Sequence, residues 1–198
     1  MTKATLITHG DLRTAVDAAR TCYDSGHLSD NWGTKDKALL KKLVQTNKHE
    51  SILRHLIYHY KIEITTKTLL ALSRHQVGVN LSIQSTRYTL KKSEVCFKDT
   101  GNEYVDKALA ILHNMVLDGI ALGIDNDTLS ALLPQNFMYK GVVTFNPQSL
   151  RHFFELRIHK NAHQDIRDLA WCLYWALPED HKYLYDDVFS LDKANPLC

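Results

Sequence analysis

Arg74-His75-Gln76-Val77-Gly78-Val79-Asn80-Leu81-Ser82-Ile83-Gln84-Ser85-Thr86-Arg87-Tyr88 is the most informative stretch of the chain. An arginine beside a ring stands at each end, and Asn80, Ser82, Gln84, Ser85 and Thr86 lie between them. Arginine is the side chain best matched to phosphate, because its planar fork donates two parallel hydrogen bonds and stays charged. Two forks around a run of amides and hydroxyls suit a ligand with phosphate at one end and a hydrogen-bonding ring at the other. A nucleotide has that chemistry. The competing reading is two surface charges flanking a polar loop.

Outward from this stretch, the chain alternates helical and extended signals. Before it, Thr5 to Thr8 reads as a short strand, and Asp11 caps a helix carrying Leu12, Val16, Ala19 and Cys22. Thr34 caps a second helix through Leu39, Leu40, Leu43 and Val44. Ile57 to Ile64 alternates apolar and polar residues as a strand does. Thr66 to His75 reads as a helix that delivers Arg74 to the mouth of the polar loop, and Arg87 to Leu90 as resumed extended chain. After it, Glu103 to Leu122 is the clearest helix, with Val105, Leu109, Leu112, Val116 and Ile120 on one stripe. A short helix ends at Pro134, Phe137 to Phe145 reads as a strand, and helices follow over Pro147 to His159 and Ala162 to Leu177. The expected fold is α/β, mixed and helix-rich, one domain over residues 1–198.

Composition narrows the functions. The 198 residues are 44% hydrophobic and 23% charged, which is globular, and the net charge of +2 gives no general case for nucleic acid as partner. No stretch approaches a membrane span, and the N-terminus lacks a signal-peptide core. Cys22, Cys96, Cys172 and Cys198 have no CxxC spacing, so a reduced, cytoplasmic protein without a zinc knot or a disulfide framework is expected. His55-x3-His59 and His159-x3-His163 could each set two imidazoles on one helical face. Neither carries an acid at metalloprotease spacing, and no metal is expected.

One residue is out of place. Asn146-Pro147 is a helix start, a side-chain cap followed by proline, with free N–H groups favourable to anions. From there Leu150, Phe153 and Phe154 form an apolar stripe, and Arg157 falls in the middle of it. A guanidinium on the core side needs a partner. Either a nearby acid pairs with it, or it points into a cleft and meets an anionic or enolate-like ligand.

Taken together, the chain resembles the flavin-dependent thymidylate synthases. The likeness rests on Arg74-His75-Gln76 followed by Ser85-Thr86-Arg87-Tyr88, against that family's RHR and S-x-R-Y. It includes His49-Glu50-Ser51 through His55 upstream, and Leu133-Pro134 and Asn146-Pro147-Gln148-Ser149-Leu150 through Leu156-Arg157 downstream. Ala19 to Tyr23, Ser29-Asp30 to Lys37, and Ala176-Leu177-Pro178 also fit, so the likeness runs nearly the full chain in order.

The resemblance implies FAD as cofactor, dUMP as substrate, and methylenetetrahydrofolate and NADPH as co-substrates, with no enzymic cysteine nucleophile. It implies Arg157 as the activating arginine, and Arg74, Gln84, Ser85, Thr86 and Arg87 as dUMP-binding residues. His49, Ser51, His75, Gln76, Val77, Asn146, Gln148 and His152 match FAD-contacting positions, with Arg74 between the two ligands. It also implies that family's fold, an antiparallel or mixed sheet packed against helices, and a homotetramer whose subunits share active sites.

Departures from the family pattern cluster on charge. Gln76 and Gln148 stand where arginines are expected, Ser130 where a basic residue is, and His152 in place of an asparagine. Arg54 replaces a glutamate, Ala71 a glutamine and Ile83 a residue that is often glutamate, and the 74–87 loop is one residue longer. Arg54, Lys91, Lys92 and Arg151 are the cations available to compensate. Three other readings stay open: a C5-methylase or hydroxymethylase of another pyrimidine nucleotide such as UMP, a nucleotide-binding member without turnover, and a cysteine-dependent synthase. For the last, Cys22 beside Arg20 is the candidate, although a buried structural thiol is the expectation there.

Overall fold

The structure is a computed structural model describing residues 1–189, so Cys198 lies outside the described residues. Its centre is a four-stranded antiparallel sheet in the order β1-β2-β4-β3: Lys3–His9, Tyr58–Thr65, Met138–Phe145 and Val79–Ile83 respectively. The alternation expected of β2 is real: Tyr58, Tyr60, Ile62 and Ile64 are buried, and the residues between them, His59, Lys61 and Glu63, are not. The polar run after Arg74 is a strand rather than a loop. Val79, Leu81 and Ile83 turn partly inward and Asn80 and Ser82 outward, as an edge strand requires.

Helices α1 (Leu12–Thr21), α2 (Thr34–Lys41), α3 (Thr66–Leu72), α7 (Pro147–Arg157) and α8 (Gln164–Trp175) contribute to the main core with the sheet. The expected Asp11 cap is present, its side chain accepting from Arg13 N. The start of α2 differs from expectation. Gly33 is the cap residue, and the Asp30 carboxylate accepts from the N–H groups of Gly33, Lys35 and Asp36. A carboxylate reaching forward serves the same free donors that a Thr34 hydroxyl would have.

The motif segments 19–23 and 29–37 meet in a buried ion pair. Arg20 donates to Asp36 from Nε at 2.8 Å and Nη2 at 2.5 Å, and Ser29 Oγ and Trp32 N donate to the other carboxylate oxygen. Burial works against the Asp36 charge, but the hydrogen bonds from Ser29 and Arg20 outweigh it and bring its pKa down to about 2.

A second, smaller core holds Leu90, Val95, Val116, Leu129 and Phe137. It lies beneath α5 (Glu103–Ala121), α6 (Asn126–Ser130) and the single turn α4 (Thr86–Thr89). One expectation changes here. Arg87 to Thr89 is helical, not extended. The expected α5 stripe does turn toward this core: Val116 is buried, Leu109, Leu112 and Ile120 are half-buried and Val105 is exposed, while Tyr104, Ile111, Met115 and Leu117, which lie off the stripe, are exposed. The chain ends its described part with α9 (Glu179–Lys182), a 3-10 turn and α10 (Asp186–Phe189), which fold back onto α7 and α8.

Candidate active site

A cleft of about 620 Å³ opens between the segment after α3 and the length of α7 from its N-cap to Arg157. It gathers Arg74, His75, Gln76, Val77, Asn146, Gln148, His152 and Arg157, all named from the sequence. A second cleft of about 390 Å³ adjoins it, sharing Glu50 and Gln148, and contains the other two predicted cofactor positions, His49 and Ser51. The remaining predicted residues lie elsewhere. Gln84, Ser85, Thr86 and Arg87 follow the far end of β3, separated from Gly78 by about 17 Å of strand. There Gln84 Nε2 donates to Thr89 and Ser93, and Arg87 pairs with Asp127 at 3.3 Å on the surface. Ser130 ends α6 with its hydroxyl on Asp127 O.

Local chemistry explains why the cleft forms. Gly78 has φ +65, and a Cβ there would sit 2.0 Å from Asn146 Nδ2 and 2.3 Å from Ser149 Oγ. Only glycine lets the 74–78 segment lie this close to the start of α7. Asn146 N donates to Gly78 O, while Asn146 Oδ1 accepts from Ser149 N as the helix cap. That cap, with proline at 147, leaves fewer free N–H groups at the helix start than the sequence suggested.

Arg157 has no carboxylate partner among the described residues. Its Nε donates to His75 Nε2 at 3.0 Å, so the expected acid is replaced by a neutral imidazole. Burial, then the charges of Arg157 and His152, push the His75 pKa down to about 4. With Nε2 accepting, the ring proton belongs on Nδ1. The imidazole packs edge-on to Phe153, centroids 5.0 Å apart, which holds its plane. Burial and the neighbouring Arg74 also lower the Arg157 pKa, the signature of a cation without a counter-charge.

Arg151 is the opposite case, and it corrects one expectation. It is 1% exposed and already committed: Nε donates to Glu50 at 3.0 Å, Nη1 to Asp187 and Leu184 O, and Nη2 to Asp187. It is not available to replace a missing cation. Lys91 lies toward α6, donating to Gly123 O at 3.4 Å, so it is not in the cleft either. Arg54 does line the cleft, with Nε donating to Gln148 Oε1 at 2.5 Å.

Other expectations fall on geometry. His59 sits in β2 bonded to Thr144, and His163 precedes α8 as its cap, so neither histidine pair shares a helical face. Cys22 is exposed at the rim of the smaller cleft, not buried, and the Arg20 charge beside it is taken up by Asp36. Glu50 and Glu155 are cleft residues that the sequence did not single out. Glu155 stands four residues after Arg151, which was the available signal. For Glu50 none existed, because its partner Arg151 comes from a distant segment of the chain.

The chain matches the thymidylate synthase complementing protein family over residues 5–179. It belongs to that family. It is 38% identical over 200 residues to the flavin-dependent thymidylate synthase of Wolinella succinogenes, across 91% of this chain and 96% of that one. The Helicobacter pylori enzyme is 31% identical over 195 residues, covering 89% of this chain and 93% of its own. The crystal structure of thymidylate synthase X from Helicobacter pylori with FAD and dUMP has a TM-score of 0.88 at 29% identity, over 94% of this chain and 98% of that one. A UMP/dUMP methylase from Streptomyces cacaoi, at 18% identity and a TM-score of 0.75, shares the fold. No helix among the described residues is long and apolar enough to cross a membrane.

Proposed function

We propose that this protein is a flavin-dependent thymidylate synthase, converting dUMP to dTMP with FAD as cofactor and methylenetetrahydrofolate and NADPH as co-substrates. The observation that carries the reading is Arg157: a cation raised from an apolar helix stripe into a cleft, aimed by a neutral histidine and without a carboxylate partner among the described residues. The cleft's chemistry suits FAD. Arg54, Arg74, Gln76 and Gln148 offer donors to phosphate and ring edges, and Val77 and Leu156 offer apolar wall.

Bound FAD supplies hydride chemistry to the pyrimidine ring. The chain's own contribution is electrostatic. In this reading Arg157 donates to a pyrimidine carbonyl oxygen as negative charge develops there, and its geometry is set beforehand by His75 and Phe153. A preorganised donor of this kind is typically worth ~3–4 kcal/mol of barrier. Arg74, near enough to Arg157 to act on its charge, would serve both the nucleotide and the flavin. His49, Ser51, Asn146 and His152 contribute the remaining flavin contacts.

The split between the cleft and the Gln84–Arg87 turn supports shared sites in a homotetramer. The turn that would hold dUMP lies too far along β3 to serve its own Arg157, so a second copy supplies it. The uncovered apolar residues of α5 give such copies a surface to bury. A cytoplasmic location accords with the cysteine pattern and is part of the same proposal.

The test is anaerobic incubation with dUMP, methylenetetrahydrofolate, FAD and NADPH, followed by mass analysis, with UMP in a parallel reaction. The expected product is dTMP from dUMP. Methylation of UMP alone, or no product from either nucleotide, would overturn the assignment.

A further inference from the structure

The cleft holds more positive charge than its lining first suggests. Its two carboxylates, Glu50 and Glu155, both face the buried Arg151, at 3.0 and 3.3 Å. Arg54, Arg74 and Arg157 have no carboxylate partner among the described residues. Arg157 is turned toward His75, and Arg74 neighbours it closely enough to act on its charge. Arg54 is the third and stands apart from that pair. It comes from the 3-10 turn Glu50–His55, and the buried Ile52 and Leu53 anchor its backbone between the clefts.

Among the described residues only Nε of Arg54 is used, in the bond to Gln148 Oε1. Its two terminal nitrogens carry no hydrogen bond among the described residues. A guanidinium tethered by one edge presents its other edge as a fork, the shape that binds phosphate oxygens in pairs. Positions 54 and 148 touch across the cleft wall, and these are two positions where the chain departs from the family pattern. A glutamate is expected at 54 and an arginine at 148, whereas Arg54 and Gln148 are present. The positive charge has moved from one side of a contact to the other, and with the glutamate gone the pair changes from neutral to cationic.

We propose that Arg54 is the diphosphate-binding residue of this cleft, taking over from position 148, with Gln148 orienting its guanidinium. This rests on the reading that FAD occupies the cleft, and the experiment separates the two. FAD, riboflavin and ADP are titrated against the full-length protein and against Arg54→Gln, Arg54→Lys and the double variant Arg54→Gln/Gln148→Arg. Flavin binding is followed by fluorescence and ADP binding by calorimetry. Arg54 is exposed, so the variants are expected to melt where the parent does.

For Arg54→Gln the expectation is a roughly ten- to hundredfold loss of affinity for FAD and ADP, the range for hydrogen bonds to a charged group. Riboflavin, which has no phosphate, binds as before. Arg54→Lys recovers part of the loss, and Gln148→Arg in the double variant recovers most of it. Unchanged FAD affinity in Arg54→Gln, or equal losses for FAD and riboflavin, would overturn the role. If the parent binds ADP through Arg54 but neither flavin, the diphosphate site stands and the flavin reading fails.

Discussion

Two arginines on helix α7, six residues apart, show the two ways a fold can hold a buried cation. Arg151 is sealed in, with Asp187, Glu50 and Glu155 around it. Burial works against its charge, but the Asp187 hydrogen bond and the surrounding carboxylates outweigh that and raise its pKa. Arg157 is half-buried, faces a neutral imidazole and a second arginine, and has its pKa lowered. The first fastens the segment at 184–187 to the helix. The second keeps its charge unspent at the edge of a cleft. A charge neutralised within the chain belongs to stability, and a charge held without a counter-ion is available to a ligand.

The strongest way to break this comparison is to remove each charge and measure folding. Removing one partner of a buried ion pair strands the others, so Arg151→Met should cost about 3–5 kcal/mol in urea unfolding. Arg157→Met removes an uncompensated cation from an apolar stripe and should cost less than about 1 kcal/mol. Equal losses would mean that Arg157 has a structural partner. The complementary measurement is turnover. Arg157→Ala should keep the fold yet lose about 10²- to 10³-fold in rate, the scale of one preorganised donor. Full activity in that variant would remove Arg157 from the chemistry.

The sequence made Arg157 legible and left Arg151 illegible, and the reason is physical. Helical spacing depends only on neighbours, so an arginine on a stripe with Leu150, Phe153 and Phe154 stands out. Two of Arg151's partners come from distant segments, and nothing local announces them. The same rule divides the fold. The β2 alternation and the Asn146-Pro147 start are local signals and appear as expected. The turn at 86–89 is rich in β-branched and aromatic residues and reads as extended. Thr89 Oγ1 instead donates to Ser85 O, Gln84 holds Thr89 and Ser93, and α6 packs against the turn, which together close it. Tertiary contacts outweighed propensity there. The gathering of Arg74 to Val77 with Asn146, Gln148, His152 and Arg157 in one cleft was legible, but not the placement of Gln84 to Arg87 away from Arg157, because the polar run that forms β3 reads as a loop.

Histidines carry the same contrast into pH. His181 is buried away from the cleft, with Nδ1 2.8 Å from the Tyr58 hydroxyl, and burial pushes its pKa down to about 4. His75 reaches about 4 as well, through burial and then Arg157, but it is only half-buried. Both folded values lie below the ordinary 6.5, so the unfolded chain binds more protons in between. The stability they represent is present above pH 6.5 and is lost as pH falls toward 4. One pKa unit is about 1.4 kcal/mol, so at full weight the His181 shift corresponds to about 3.5 kcal/mol, and the His75 shift, discounted for its greater exposure, to clearly less. His181→Asn should therefore flatten the fall in urea stability between pH 7 and 4.5 more than His75→Asn does. Asp36, at about 2, acts only below this window. A larger flattening from His75 would place the more tightly held imidazole in the cleft.

Glu155 sits between the two arginines and gives the finest test. It lies 3.3 Å from Arg151 Nε and lines the cleft, yet its side chain is 44% exposed. If Arg151 is secured mainly by Asp187 and Glu50, Glu155→Gln should cost no more than about 1 kcal/mol, the range for exposed pairs. Removing that negative charge should also make the cleft more attractive to anions. ADP should bind slightly tighter, and more so at low salt, where charges within about 10 Å are least screened. A loss of stability like that of Arg151→Met, with ADP affinity unchanged, would put Glu155 wholly on the structural side. The boundary between fastening and binding on α7 would then lie after position 155 rather than through it.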